Sequence, residues 1–165
     1  MELARATQTQ DLMLRLEIED FHTAYCAALD EGRYDAWPDF FITDCLYRIV
    51  PRDNHDAGLP LAMIHCEGRG MLIDRVASLR ETLFYLPRTL RHMVSGVRVK
   101  SSESDEVAAE ANYLVLQTDS DKHSEVFNYG RYLDRFTRRD GVLRLRERIC
   151  VFDSIVVPSS LMVPL

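Results

Sequence analysis

Five histidines, His22, His55, His65, His92 and His123, are the side chains best suited to acid–base or metal chemistry. They fall in five separate stretches of the 165-residue chain. None stands in the H-E-x-x-H spacing that brings two ring nitrogens to one zinc ion. No C-x-H with a later C-x-x-H is present to hold a Rieske iron–sulfur cluster. Cys66 follows His65 directly but has no second half, so no metal site is expected in this chain. Gly68-Arg69-Gly70 opens a helical stretch, where free amides can hold an anion. Without a third glycine it reads as a loop pair. No G-x-S-x-G or phosphate-binding P-loop occurs.

His92 is the strongest acid–base candidate. It follows Arg91 in a segment of strand character, and a histidine lining the inside of a rolled sheet can act as a general base. Asp44, Tyr47 and Tyr113 are its nominal companions. The plainer reading is a core histidine hydrogen-bonded to a neighbour. It is favoured because no spacing forces a second polar residue onto the same wall.

Arginines make the other pattern. Arg144, Arg146 and Arg148 alternate with Leu143, Leu145, Ile149 and Val151, while Arg131, Arg135, Arg138 and Arg139 precede them across a turn. Such alternation predicts a half-buried strand with the arginines facing outward, on a solvated or protein-contact surface. A solvated face is the default and a phosphate or nucleic-acid surface comes last; on the protein-contact reading, Arg131, Arg144, Arg146 and Arg148 would contribute to subunit contacts or to the salt bridges that shape them. Asp134, Glu147 and Asp153 in the same hairpin favour internal salt bridges over a bare basic patch.

The elements that position these residues follow from periodicity. Asp140-Gly141 is a hairpin turn signal between Val126 and Val157, with the second strand expected from Leu143 to Val156. A strand of that length twists and should wrap something. Residues 1–8 are expected to fray, with Thr9 as N-cap of a first helix whose apolar face is Leu14, Ile18, Phe21, Tyr25 and Leu29. Gly32 is placed to end it, and Asp35 to cap a short second helix ending near Phe41. Asp44 to Val50 reads as a strand and Pro51 to Pro60 as a protruding loop, with Leu61 to Cys66 either strand or loop. A third helix is expected from Gly70 to Phe84, with Leu72, Val76, Leu79 and Leu83 as its stripe and Pro87 as its stop. Strands follow over 90–100, with a bend at Gly96, and over 107–118. Polar turns lie at 101–106 and 119–124. Helices followed by a strand meander give an α+β fold, a curved antiparallel sheet wrapped over the N-terminal helices.

Composition sets the outer bounds. Length predicts one domain over 1–165. A net charge of −6 argues against nucleic acid or an anionic membrane as partner. The four spaced cysteines, and an opening MELARATQTQ without the apolar core of a secretion signal, predict reduced thiols in a soluble cytoplasmic protein.

Taken together, a series of short pieces resembles the small (β) subunit of aromatic-ring-hydroxylating dioxygenases. They are Asp30-Glu31 before Trp37, Phe40-Phe41, Asp44-Cys45-Leu46-Tyr47 and Arg52-Asp53-Asn54, then Met71 to Val76, Leu79-Arg80 and Arg91-His92. Val126-Phe127, Gly130 to Asp134, Leu143-Arg144, Glu147-Arg148 and the closing Pro164-Leu165 complete them. Each is weak alone; their order and spacing are specific. Many members read Arg-Glu-Asn where this chain has Arg52-Asp53-Asn54. The look is nearest to small subunits of systems acting on single-ring carboxylates such as terephthalate and benzoate.

The resemblance implies a cone-shaped NTF2-like (cystatin-like) fold and a mainly structural role. It implies assembly with a large (α) subunit carrying a Rieske iron–sulfur cluster and a mononuclear iron, electrons coming from NADH. It also implies a trimer of this chain within a three-plus-three hetero-hexamer. No catalytic, cofactor or metal residue carries over. The alternative is a stand-alone lyase or isomerase of the same fold, using His92 with Asp44 and Tyr47.

Overall fold

The computed structural model describes residues 2–81, 88–103, 105–119, 123–154 and 161–165, with side chains from residue 8 onward. Helix α1 runs from Glu2 to Asp30. The expected start at Thr9 is therefore corrected: the first residues are mostly good helix formers, and nothing breaks the pattern before Gly32. Ile18, Tyr25 and Leu29 are buried along one face. Gly32 adopts φ +68, and the Arg33 amide reaches back to the Ala28 carbonyl at 2.8 Å, closing the helix as a left-handed cap. The second helix is a 3-10 turn, Tyr34–Phe40, with Arg33 rather than Asp35 at its cap position.

Strand β1 (Phe41–Pro51) precedes a five-residue helix α2 (Arg52–Asp56), so the expected loop contains a helical turn. Strand β2 (Ile64–Glu67) and helix α3 (Gly68–Glu81) follow, and Leu72, Val76 and Leu79 form the buried stripe of α3. The expected end of that helix, with Leu83, Phe84 and Pro87, lies outside the described residues. Four strands complete the sheet: β3 (Arg88–Glu103), β4 (Glu106–Asp119), β5 (Glu125–Arg139) and β6 (Val142–Phe152). The turn between β3 and β4 is narrower than expected. Residues 155–157, the expected end of the last strand, lie outside the described residues.

The sheet order is β2-β1-β6-β5-β4-β3. β3 to β6 form the expected antiparallel meander, and the turn at Asp140 (φ +53) and Gly141 (φ +77) takes the left-handed conformations of a tight hairpin. β1 differs: it pairs parallel to β6, because the chain reaches the sheet through the helices instead of a hairpin. One face of the sheet packs on α1 and α3. Leu90, Val97, Val107, Ala109, Ala111, Tyr132, Phe136, Leu145 and Cys150 point there. The tail residues Leu161, Val163 and Leu165 join the same core.

Bulges bend this sheet. Gly96 (φ +65) sits at one, where Ser95 pairs Asn112 and Arg98 pairs Glu110. Another decides the site: Arg135 pairs Glu147 but Phe136 pairs Leu145, leaving Arg146 unpaired. An extra residue reverses the facing of everything beyond it. Leu143 and Leu145 point inward before the bulge, and Arg148, Cys150 and Phe152 point inward after it.

Candidate functional site

That reversal puts Arg148 inside the protein, and the expectation that it faces outward with Arg144 and Arg146 is corrected. Its side chain is 0% exposed. Nε and Nη2 donate to the two Asp134 oxygens at 2.8 and 2.7 Å, a bidentate pair across neighbouring strands. The guanidinium is stacked between two aromatic rings, 4.2 Å from the centroids of both Tyr25 and Tyr132. Burial works against its charge, but Asp134 outweighs that penalty and keeps the group firmly protonated.

His22, from α1, completes this cluster. Its Nδ1 lies 3.0 Å from Arg148 Nη2, so it accepts, and the ring is neutral with the proton on Nε2. Burial, reinforced by the Arg148 charge and only partly offset by Asp134, pushes its pKa down to about 4. The Tyr132 ring is near-parallel to those of His22 and Tyr113, with centroid separations of 5.8 and 4.5 Å. The Tyr113 hydroxyl donates to Asn128 Oδ1 at 2.7 Å.

A second anchor joins α1 to β3. His92 Nδ1 is 2.7 Å from Asp30 Oδ1, and the His92 main-chain N–H is 3.1 Å from both carboxylate oxygens. A carboxylate in the last turn of a helix opposes the helix dipole, and this partner offsets that cost. That local conflict was the signal for Asp30 in the sequence. The His92 ring is fully enclosed, with 0% of its side chain exposed.

The expected companions do not converge on it. Asp44 is solvent-exposed on β1. The Tyr47 hydroxyl instead accepts from the Leu165 N–H at 2.8 Å. Trp37 Nε1 donates to the Tyr25 hydroxyl, which donates to the Leu165 main-chain oxygen at 3.0 Å, so three aromatic residues clasp the tail. The constellation of His92, Asp44 and Tyr47 is therefore not assembled.

Between α1 and β3 lies a cleft of about 620 Å³, bounded by Glu19, Cys26, Asp30, Arg91 and Val97 among others. Neither histidine ring opens into it to a useful degree, since His22 is only 2% exposed. Geometry of this kind positions elements; a general base needs an accessible nitrogen. Among the described residues, no three His, Cys, Asp or Glu side chains converge to hold a metal ion. No described helix is long and apolar enough to cross a membrane.

Two of the other candidate arginines lie on the sheet surface with partners from their own chain. Arg131 reaches Asp56 of α2 at 3.5 Å and Arg146 reaches Glu106 at 2.5 Å. Arg144 is half-buried on β6.

A family model described as a SnoaL-like domain matches residues 10–149. The anthranilate 1,2-dioxygenase small subunit of Burkholderia cepacia is 38% identical over 157 residues, covering 95% of this chain and 98% of its own. Subunit beta 2 of the terminal oxygenase component of terephthalate 1,2-dioxygenase, from a Comamonas species, is 37% identical over 150 residues, covering 91% of this chain and 97% of its own. Among solved structures, a chain from Novosphingobium aromaticivorans assigned as the β subunit of an aromatic-ring-hydroxylating dioxygenase superposes with a TM-score of 0.86. It shares 38% identity, with 93% of this chain and 98% of that one covered.

Proposed function

This chain belongs to the SnoaL-like domain family and, within it, to the small subunits of aromatic-ring-hydroxylating dioxygenases, and from that premise we propose that it is the non-catalytic subunit of such an enzyme. It assembles as a single domain with a large subunit that carries a Rieske cluster and a mononuclear iron and takes electrons from NADH. Three copies of each chain make the complex, in the cytoplasm. The substrate is a single-ring aromatic carboxylate; relatives named for anthranilate and terephthalate, both of that class, support this. The observation that carries the reading is near full-length similarity to named small subunits. It is joined by two buried pairings of charged and imidazole side chains that tie elements together, Arg148–Asp134–His22 and Asp30–His92.

The competing reading is a stand-alone lyase or isomerase using His92. The Asp30–His92 pair has the right groups for it, since a carboxylate on Nδ1 leaves Nε2 to accept a proton. Complete enclosure of that ring weighs against it. Co-expression with the Rieske-type large subunit of the same organism, followed by size-exclusion chromatography and assay with an aromatic acid, is the test. Co-elution and turnover only when both chains are present support the proposal. A chain that stays alone beside a folded large subunit refutes it.

A further inference from the structure

The imidazole of His22 is paired on one edge only. Its Nδ1 takes a hydrogen bond from Arg148, which leaves the ring's proton on Nε2. That Nε2–H is buried and has no hydrogen-bond partner among the described residues. Asp134 Oδ2 stands 3.7 Å from it, beyond direct hydrogen-bond reach. Arg148 Nη1 is a second buried donor without a partner among the described residues, so this part of the interior is short of acceptors. A buried N–H left unpaired costs more free energy than holding one water molecule still.

The charges around Nε2 select what can satisfy it. Asp134, 3.7 Å away, repels an anion, and the Arg148 guanidinium, 3.0 Å from the same ring, repels a cation. What remains is a neutral group that accepts from Nε2–H and donates to Asp134 Oδ2. That oxygen already accepts from Arg148 Nη2 at 2.7 Å, and its second lone pair can take another donor. Size narrows the choice further. His22 is too enclosed for a substrate-sized molecule to reach its nitrogen, whereas water needs only the space of one probe sphere and two to four polar partners. The cleft of about 620 Å³ between α1 and β3 is bounded by His22 itself, which brings solvent to the margin of the ring. We infer that one ordered water molecule bridges His22 Nε2 to Asp134 Oδ2 as a fixed part of the fold, tying α1 to β5. The bridge belongs to the single chain and does not depend on a partner subunit.

The test uses the full wild-type chain carrying isotope-labelled histidine. The His22 Nε2–H is expected to show a magnetisation-transfer peak to water, of the sign that marks a water held for longer than the protein tumbles. Crystals of the same chain should show one ordered water within hydrogen-bond distance of both Nε2 and Asp134 Oδ2. His22→Phe keeps an aromatic ring beside Tyr132 and removes both nitrogens, so peak and ordered water should both be lost. A wild-type Nε2–H without the peak overturns the inference, as do wild-type crystals in which protein atoms close directly over Nε2. A peak that survives in His22→Phe belongs to another group and overturns it too. If His22→Phe does not fold, the two wild-type measurements decide alone.

Discussion

Arg148 and Asp134 meet on adjacent strands as a bidentate pair with side chains 0% and 1% exposed, and the guanidinium lies between the rings of Tyr25 and Tyr132. A charge pair so deeply buried gains little over an apolar pair of equal volume, yet breaking it strands one charge without solvent. Arg148→Ala is therefore expected to lose about 3–5 kcal/mol in urea unfolding. The double replacement Arg148→Met with Asp134→Leu should recover most of that loss. If the single variant loses no more than an ordinary surface change, the pair does not hold the core together.

Acid should act through His22. Its folded pKa of about 4 lies below the ordinary 6.5, so the unfolded chain binds a proton that the folded chain refuses. Stability from this group is complete above about pH 6.5 and falls as pH drops toward 4, by about 3 kcal/mol in all. Unfolding free energies measured from pH 7 to pH 4 should show that slope in the wild type. His22→Gln should flatten it.

The Asp30–His92 anchor separates the two functional readings. Asp30→Asn and His92→Gln are expected to lower stability by about 1–3 kcal/mol, since each leaves a buried polar group without its partner. Turnover per assembled large subunit should stay at the wild-type value. A drop in turnover at full assembly, with a shifted pH profile, would instead make His92 an acid–base residue.

At Gly130 the main chain of β6 leaves no room for a side chain. A Cβ built there would fall 2.0 Å from the Val151 carbonyl oxygen and 2.8 Å from Phe152 Cα, both main-chain atoms that cannot step aside. Gly130→Ala is expected to lose more than about 2 kcal/mol or fail to fold, beyond what surface substitutions produce. A soluble variant of unchanged melting temperature would contradict the close β5–β6 contact.

The four cysteines should be inert in the native state. All are buried, and burial raises the thiol pKa to about 11 for Cys26 and Cys45 and to about 12 for Cys150. Because the thiolate is the reacting species, a disulfide-exchange reagent at pH 8 should titrate none of them until denaturant is added, and then all four. Rapid reaction of any one in the native protein would show an opening motion near it.

Local patterns were sufficient wherever neighbours along the chain decide the outcome. The apolar stripe of α1 fixes its buried face, Gly32 fixes its end, Asp140-Gly141 fixes the last hairpin, and Gly96 fixes a bend. The family, too, was legible, because it lies in the order of many short pieces. What neither spacing nor composition could supply was the facing of a residue beyond a bulge. Up to Leu145 the alternation of β6 holds; one unpaired residue at Arg146 then turns Arg148 from the outer face to the core. A bulge is set by pairing with β5, not by the strand's own sequence, and so are the partners it brings together. Asp134, His22 and Arg148 are up to 126 residues apart in the chain. Their contact exists because the curved sheet packs its inner face on α1, and a guanidinium buried there needs the carboxylate and imidazole that the two elements bring to it.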